Sequence, residues 1–299
     1  MNQAESQDST TRPSLMRLEG RSDSKASPPS RSPTFPRGAD LPPQSPKYWV
    51  KEKDRYLRQL LISDIEAITG RRLIIYFTSQ GMIDFRDADD LSEVLDDYPH
   101  QPVDLMLQTP GGIIDACEKV ISVLRLRTGG YRVIVPSWAK SAGTIIALAA
   151  DTIVMGGNSE MGPIDPQFRG IPAEFIRDDP DEKYPIKQIA ESAILRTRKL
   201  ASQVLSQGML RGLDPVIIDD LVNQLSSAQS YSSHGAVINA EEAKNLGLNI
   251  TYLPPADELW KKLWLLYCMY DFDCQRQGYA KLFEGTRVSI ARPIPPNGG

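Results

Sequence analysis

Short, continuous apolar runs alternate along the chain with longer segments whose apolar residues recur every three or four positions. Leu73-Ile74-Ile75-Tyr76-Phe77 is apolar throughout, as expected of a strand covered on both faces. Runs at 103–107, 132–136 and 152–155 repeat the pattern with one polar residue each, Asp104, Arg132 and Thr152. Between them, 56–68, 87–97, 113–126 and 141–150 read as helices; in the first, Tyr56, Leu60, Leu61, Ile65 and Ile68 fall at helical spacing. Gly70 and the pairs Gly129-Gly130 and Gly156-Gly157 mark element ends. Strand, helix and strand in this rhythm predict an α/β fold with a parallel sheet and packed crossover helices.

Farther along, 162–185 is rich in Pro and Asp and reads as loop. A long helix is predicted over about 186–210 and another over 214–225, with Pro215 in its first turn. A short helix over 240–246 ends at Gly247, and 249–253 reads as the last strand. The aromatic, apolar stretch 260–270 is expected to pack back on the core or on another subunit. Residues 1–46, rich in Ser, Pro and Arg, read as a disordered tail. Residues 287–299 read as a loosely ordered C-terminal tail, which leaves one domain over 47–286.

Composition narrows the classes. Of 299 residues, 34 are Lys or Arg and 38 are Asp or Glu, a formal charge of -4. No global basic field exists, which argues against nucleic acid as the main partner. Cys117, Cys268 and Cys274 are scattered and fit neither a disulfide framework nor a zinc site. They suit a reducing compartment. The first residues lack the apolar core of a secretory signal, and the apolar stretch 145–150 is too short to span a bilayer. A cytoplasmic protein with no integral membrane segment is the expectation. No Gly-x-Gly-x-x-Gly follows a strand, so no dinucleotide cofactor is called for.

Two turns carry the candidate chemistry. Ala139-Lys140-Ser141-Ala142-Gly143-Thr144 and Thr109-Pro110-Gly111-Gly112 each follow a predicted strand and open a predicted helix. A serine at a sharp strand-to-helix turn is exposed for nucleophilic attack, although Ser also serves there as a helix cap. A Pro-Gly-Gly turn presents bare backbone N–H groups to an oxygen anion. In a parallel sheet both turns lie at the carboxyl ends of strands, where ligands bind. Ser141 is the candidate nucleophile; Gly111, Gly112 and Ala142 are the candidate oxyanion and substrate-binding positions.

These turns, with Ala149-Ala150-Asp151 and Met161-Gly162-Pro163-Ile164-Asp165-Pro166-Gln167, resemble the serine dehydrogenase proteinase family. That family is similar to the signal peptide peptidase A group within the ClpP/crotonase superfamily. The resemblance spans about residues 70–255. It implies a spiral of repeated β-β-α units, self-assembly into a homo-oligomer, and serine peptidase chemistry on peptide or protein substrates. It matches Ser141 to the nucleophile and Gly112 and Ala142 to the oxyanion donors.

The base is less determined. Where ClpP places a histidine after its serine, this chain has none; the signal peptide peptidase group uses a lysine from a later segment. Lys183, Lys187 and Lys199 are candidates, and Lys187, between Ile186 and Ile189, is preferred. A lysine base needs burial or a neighbouring cation to lose its proton near neutrality. His234 with Asp165 is the alternative, since triads are defined by geometry and not by chain order. Two further readings stay open: a non-catalytic assembly protein of the same fold, and an acyl-CoA-handling crotonase-like enzyme.

Overall fold

The continuous apolar runs form the centre of a seven-stranded sheet. The fold is that of a computed structural model, described over residues 45–96, 99–231 and 233–295. The chain begins with α1 (Pro46–Lys51), α2 (Lys53–Thr69), β1 (Arg72–Thr78), α3 (Asp87–Leu95), β2 (Val103–Gln108) and α4 (Ile114–Arg127). It continues through β3 (Tyr131–Val135), β4 (Trp138–Ala139), α5 (Ala142–Leu148), β5 (Thr152–Met155) and β6 (Glu160–Met161). Then come β7 (Gln167–Phe168), β8 (Ile171–Pro172), α6 (Ala173–Asp178), α7 (Tyr184–Gln207), α8 (Pro215–Ser226), α9 (Ala240–Asn245) and β9 (Ile250–Tyr252). Helix α10 (Glu258–Gln277) leads into β10 (Tyr279–Glu284) and β11 (Ser289–Pro293).

The main sheet has the order β11-β10-β1-β2-β3-β5-β9. Strands β1, β2, β3, β5 and β9 run parallel, while β10 is antiparallel to β1 and β11 to β10. Side chains alternate between two covered faces. Ile74, Tyr76, Leu105, Val133 and Ile153 join α3, α4, α5, α7 and α8 in one core. Leu73, Ile75, Phe77, Met106, Ile134 and Val154 join α2 and α10 in the other. Cover on both faces explains why β1 shows no polar alternation. The α/β class with a mostly parallel sheet and packed helices is the fold observed.

Three expectations are corrected. The segment 249–253 does not supply the last strand: α10 carries the chain back across the sheet, and β10 pairs with β1. The segment read as a loose tail contains β11, which pairs with β10 from Glu284↔Ser289 to Tyr279↔Pro293. Its alternating exposure and its proline hid it, because Pro is tolerated on an edge strand. The loop read over 162–185 contains the hairpin β7–β8 and helix α6, elements too short for periodicity to register. The tail expected over 1–46 lies mostly outside the described residues; of it, Ser45 caps α1 and Pro46 opens it.

At the far end of β5, a Cβ on Gly156 would lie 2.2 Å from the Trp260 ring. Only glycine lets α10 settle this closely against the sheet.

Candidate active site

The two turns singled out in sequence meet at the carboxyl ends of β2 and β3. Thr109 N–H donates to Trp138 O (3.2 Å) and Lys140 N–H donates to Thr109 O (3.0 Å). The Gln108 side-chain oxygen accepts from Trp138 N–H at 3.0 Å. A Cβ on Gly111 would stand 2.7 Å from Ser141 Cβ, so the glycine turn and the serine turn are in direct contact.

Ser141 has φ 53° and ψ -119° and makes no side-chain cap hydrogen bond. That conformation is costly for a residue with a Cβ, on the order of 1–3 kcal/mol, and persists only where its surroundings enforce it. The surroundings are buried: Gly143 N–H donates to Lys140 O at 2.7 Å. The Thr144 hydroxyl lies 2.9 Å from the carbonyls of both Ala139 and Gly162. The capping role open to a serine here is therefore not the one it takes; its hydroxyl is left for the cavity.

Gly111 and Gly112 have φ of 103° and 156°. Gly111 N–H is occupied by the Thr109 hydroxyl (3.2 Å). No hydrogen bond among the described residues engages the N–H of Gly112. Ala142 is the first residue of α5, so its N–H has no intrahelical acceptor. Of the sequence candidates, Gly112 and Ala142 carry the open donors, while Gly111 shapes the turn.

A cavity of about 910 Å³ receives Gly112, Ser141, Ala142 and His234 in its lining. His234 is carried on a loop pinned to β6: Ile238 and Met161 exchange backbone hydrogen bonds at 2.9 and 3.0 Å. Its Nδ1 lies 2.7 Å from Asp165 Oδ1. The Asp165 side chain is 3% exposed, and it also accepts from the Gln167 amide. A carboxylate on Nδ1 selects the tautomer with a proton there and leaves the Nε2 lone pair outward.

The lysines are elsewhere. Lys187 does not line the cavity; its charge acts on Asp178, an exposed carboxylate at the end of α6 that its ion pair with Arg177 holds below the usual range. Lys183 and Lys199 are exposed on α7 or its N-cap. Lys140, beside the serine in sequence, turns away to the carbonyls of Met161 and Ala236, both at 3.0 Å, and to Glu160 at 3.0 Å. Met82, Gln167 and Phe168 were missed in sequence. Met82 sits in a one-residue bridge region with no periodic signal; Gln167 closes the Asp-Pro-Gln run and was legible only as part of that motif.

The fold is a mostly parallel α/β sheet with a strained serine and unengaged backbone N–H groups at its strand ends. The chain belongs to the family of ClpP-like SDH-type serine proteinases, which it matches over residues 47–273. It is similar to two uncharacterized proteins of Methanocaldococcus jannaschii. One is 32% identical over 190 residues, covering 60% of this chain and 66% of the relative. The other is 35% identical over 127 residues, covering 38% of this chain and 44% of the relative. The matched segments thus span just under two thirds and under half of those relatives' own lengths. A ClpP1 mutant from Listeria monocytogenes aligns over 65% of this chain and 98% of its own, with 17% identity and a TM-score of 0.43.

Proposed function

We propose that the protein is a serine peptidase that cleaves peptide bonds through an acyl-enzyme on Ser141, with His234 as general base, Asp165 as its orienting carboxylate, and the N–H groups of Gly112 and Ala142 as oxyanion donors. The observation that carries this reading is one cavity lined by both the strained Ser141 and an imidazole whose Nδ1 is 2.7 Å from a buried carboxylate. This reverses the preference for Lys187, which has no part in that cavity.

In the reaction, His234 Nε2 takes the Ser141 hydroxyl proton as Oγ attacks the scissile carbonyl. The carbonyl oxygen becomes an oxyanion held by two fixed donors that need no reorganisation. His234 then returns the proton to the departing amine. Water, activated by the same imidazole, attacks the ester, releases the acid and restores the serine.

Met82, Ile114, Ile145, Ile164 and Phe168 give the cavity its apolar walls, which favours a substrate with an apolar side chain at the cleaved residue. A homo-oligomer is part of the reading: Ile171, Phe175, Tyr184 and Ile189 are each more than half exposed on β8, α6 and α7, more apolar surface than water favours. The unpaired cysteines suit the cytoplasm. Among the described residues, no helix is long and apolar enough to cross a membrane.

A fluorophosphonate probe tests the assignment. Labelling is expected in the wild type, absent in Ser141→Ala, and reduced at least about a hundredfold in His234→Ala. Lys187→Ala is expected to label as the wild type does. Retained labelling in His234→Ala, with loss in Lys187→Ala, would move the base to the lysine.

A further inference from the structure

We infer that the C-terminal hairpin β10–β11 braces the oxyanion donor Gly112 from behind, with Lys281 and Asp87 as positioning residues acting through the backbone of Ile83. The inference rests on the peptidase reading above.

Ile83 grips the glycine turn on both sides of Gly112. Its N–H donates to Gly111 O at 2.8 Å, and its carbonyl accepts from Ile113 N–H at 3.0 Å. A Cβ on Gly112 would lie only 2.4 Å from Ile83 N. The direction of the Gly112 N–H therefore follows the position of the Ile83 peptide. Ile83 belongs to no strand and reaches the turn only through this bridge.

What fixes Ile83 is the charge cluster that begins at its neighbour. Asp84 N–H donates to Asp87 Oδ2 at 2.9 Å. The Asp84 carboxylate accepts from Lys281 Nζ at 2.8 Å and from Arg86 N–H at 2.8 Å. Asp87 is fully buried and takes Lys281 Nζ on both oxygens, at 2.7 and 2.8 Å, and the Tyr76 hydroxyl at 2.5 Å. Arg292 on β11 is the direct cross-strand neighbour of Lys281 on β10 and pairs with Asp84, Asp87 and Asp90. Two cations set opposite each other repel; the carboxylates of Asp84, Asp87 and Asp90 compensate them. Upstream, Ser79 and Gln80 N–H both reach Ala280 O, at 2.9 and 3.2 Å. Residues 79–84 are thus tied to β10 at both ends, with Met82 and Ile83 held out toward the cavity and the turn.

A buried network of this kind is a poor source of stability, since burying the charges offsets much of their attraction. Its geometric rigidity is what the adjoining oxyanion donor requires: a donor displaced by a fraction of an ångström no longer meets the developing charge.

The test is saturable inactivation by a fluorophosphonate, whose phosphoryl oxygen occupies the oxyanion position, separating the maximal rate kinact from the binding constant KI. Lys281→Met is expected to lower kinact at least about tenfold with KI within about twofold, and Lys281→Arg to recover part of the loss. Because Lys281→Met takes from buried Asp87 its nearest cation and leaves only Arg292 at 3.5 Å, Asp84→Asn is the second variant: its side chain is one third exposed, so the chain tolerates its neutralisation. The same split, lower kinact at unchanged KI, is expected there in the fraction that melts as a single folded transition. A kinact within twofold of wild type in folded Asp84→Asn overturns the brace. Equal kinact for Lys281→Arg and Lys281→Met also counts against it. A wild type that does not label at all removes the peptidase reading itself, a result distinct from either.

Discussion

At the residue scale, the site is governed by three backbone positions with little freedom. Gly111, at φ 103°, has no room for a Cβ: Ser141 Cβ and Lys140 O would lie at 2.7 and 2.8 Å. Gly111→Ala is expected to destabilise the fold by about 1–3 kcal/mol through strain and to cut fluorophosphonate labelling at least tenfold, because relief of the clash moves Ser141, the proposed nucleophile. Denaturant melts alongside labelling rates check both; unchanged labelling would mean the turns are not coupled. Ser141→Ala is expected to abolish labelling with little loss of stability, since a small side chain with no cap bond leaves. Ser141 and the glycines stand out in sequence as candidates because two glycine- and serine-bearing turns each follow an apolar run and open a helix. The proposed base is legible only as an alternative: the sequence offers His234 with Asp165 beside Lys187, and with 69 residues between His234 and Asp165 no local pattern ranks that pairing above the lysine. Lys187 matched the family habit of a later lysine, yet the turn of α7 that carries it faces Asp178.

At the element scale, β1, β2, β3 and β5 are readable because apolar residues dominate each with at most one polar residue in the run, and the hairpin β10–β11 is not. Strand β10 contains Lys281 and Glu284, both nearly or fully buried, charges that look like surface in a sequence. They are tolerated because each is matched: Lys281 by Asp84 and Asp87, Glu284 by Arg58 and Tyr270. The apolar stretch of helix α10 is expected from sequence to pack back on the core or on another subunit. It packs on the core, against the sheet face carrying Leu73, Ile75 and Phe77, where Leu263 and Leu266 are fully buried. Leu263→Ala is expected to cost about 2–5 kcal/mol, the transfer of the side chain plus the cavity left behind. Urea unfolding measures it; a loss under 1 kcal/mol would mean that α10 is not integral to the core. The helix also separates two thiols. Cys274 is buried, its thiol pushed up to about 12 by desolvation, whereas Cys268 is exposed. With Cys117 also buried, iodoacetamide on the native protein is expected to modify Cys268 alone, and mass spectrometry of the digest reads the site.

At the scale of the whole molecule, stability should fall at both ends of the pH range, for different reasons. In acid, Asp54, Asp84 and Asp178 matter. Burial opposes ionisation of the first two, but lysine and arginine partners hold both below the usual carboxylate range; Arg177 does the same for Asp178. A folded pKa below the unfolded one gives stability that is present above about 4 and lost as pH falls through the folded value. In alkali the sign reverses. Burial first, and for Tyr76 and Tyr270 a neighbouring carboxylate second, push the phenols of Tyr76, Tyr131 and Tyr270 above their ordinary value. The folded chain then keeps protons that the unfolded chain releases, so stability declines as pH rises past about 10, by about 1.4 kcal/mol per unit for each phenol. Tyr131 separates this from other alkaline damage. Its hydroxyl is buried with no hydrogen-bond partner among the described residues, unlike that of Tyr76, which donates to Asp87. Tyr131→Phe removes an unsatisfied donor at almost no change of shape. It is expected to be neutral or stabilising at pH 7 and to shallow the decline above pH 10. Tyr76→Phe should instead destabilise at pH 7, because Asp87 loses a donor in a buried cluster. Urea midpoints for the two variants at pH 7 and pH 10.5 decide the matter. A Tyr131→Phe protein less stable than wild type at pH 7 would show that the hydroxyl has a partner after all.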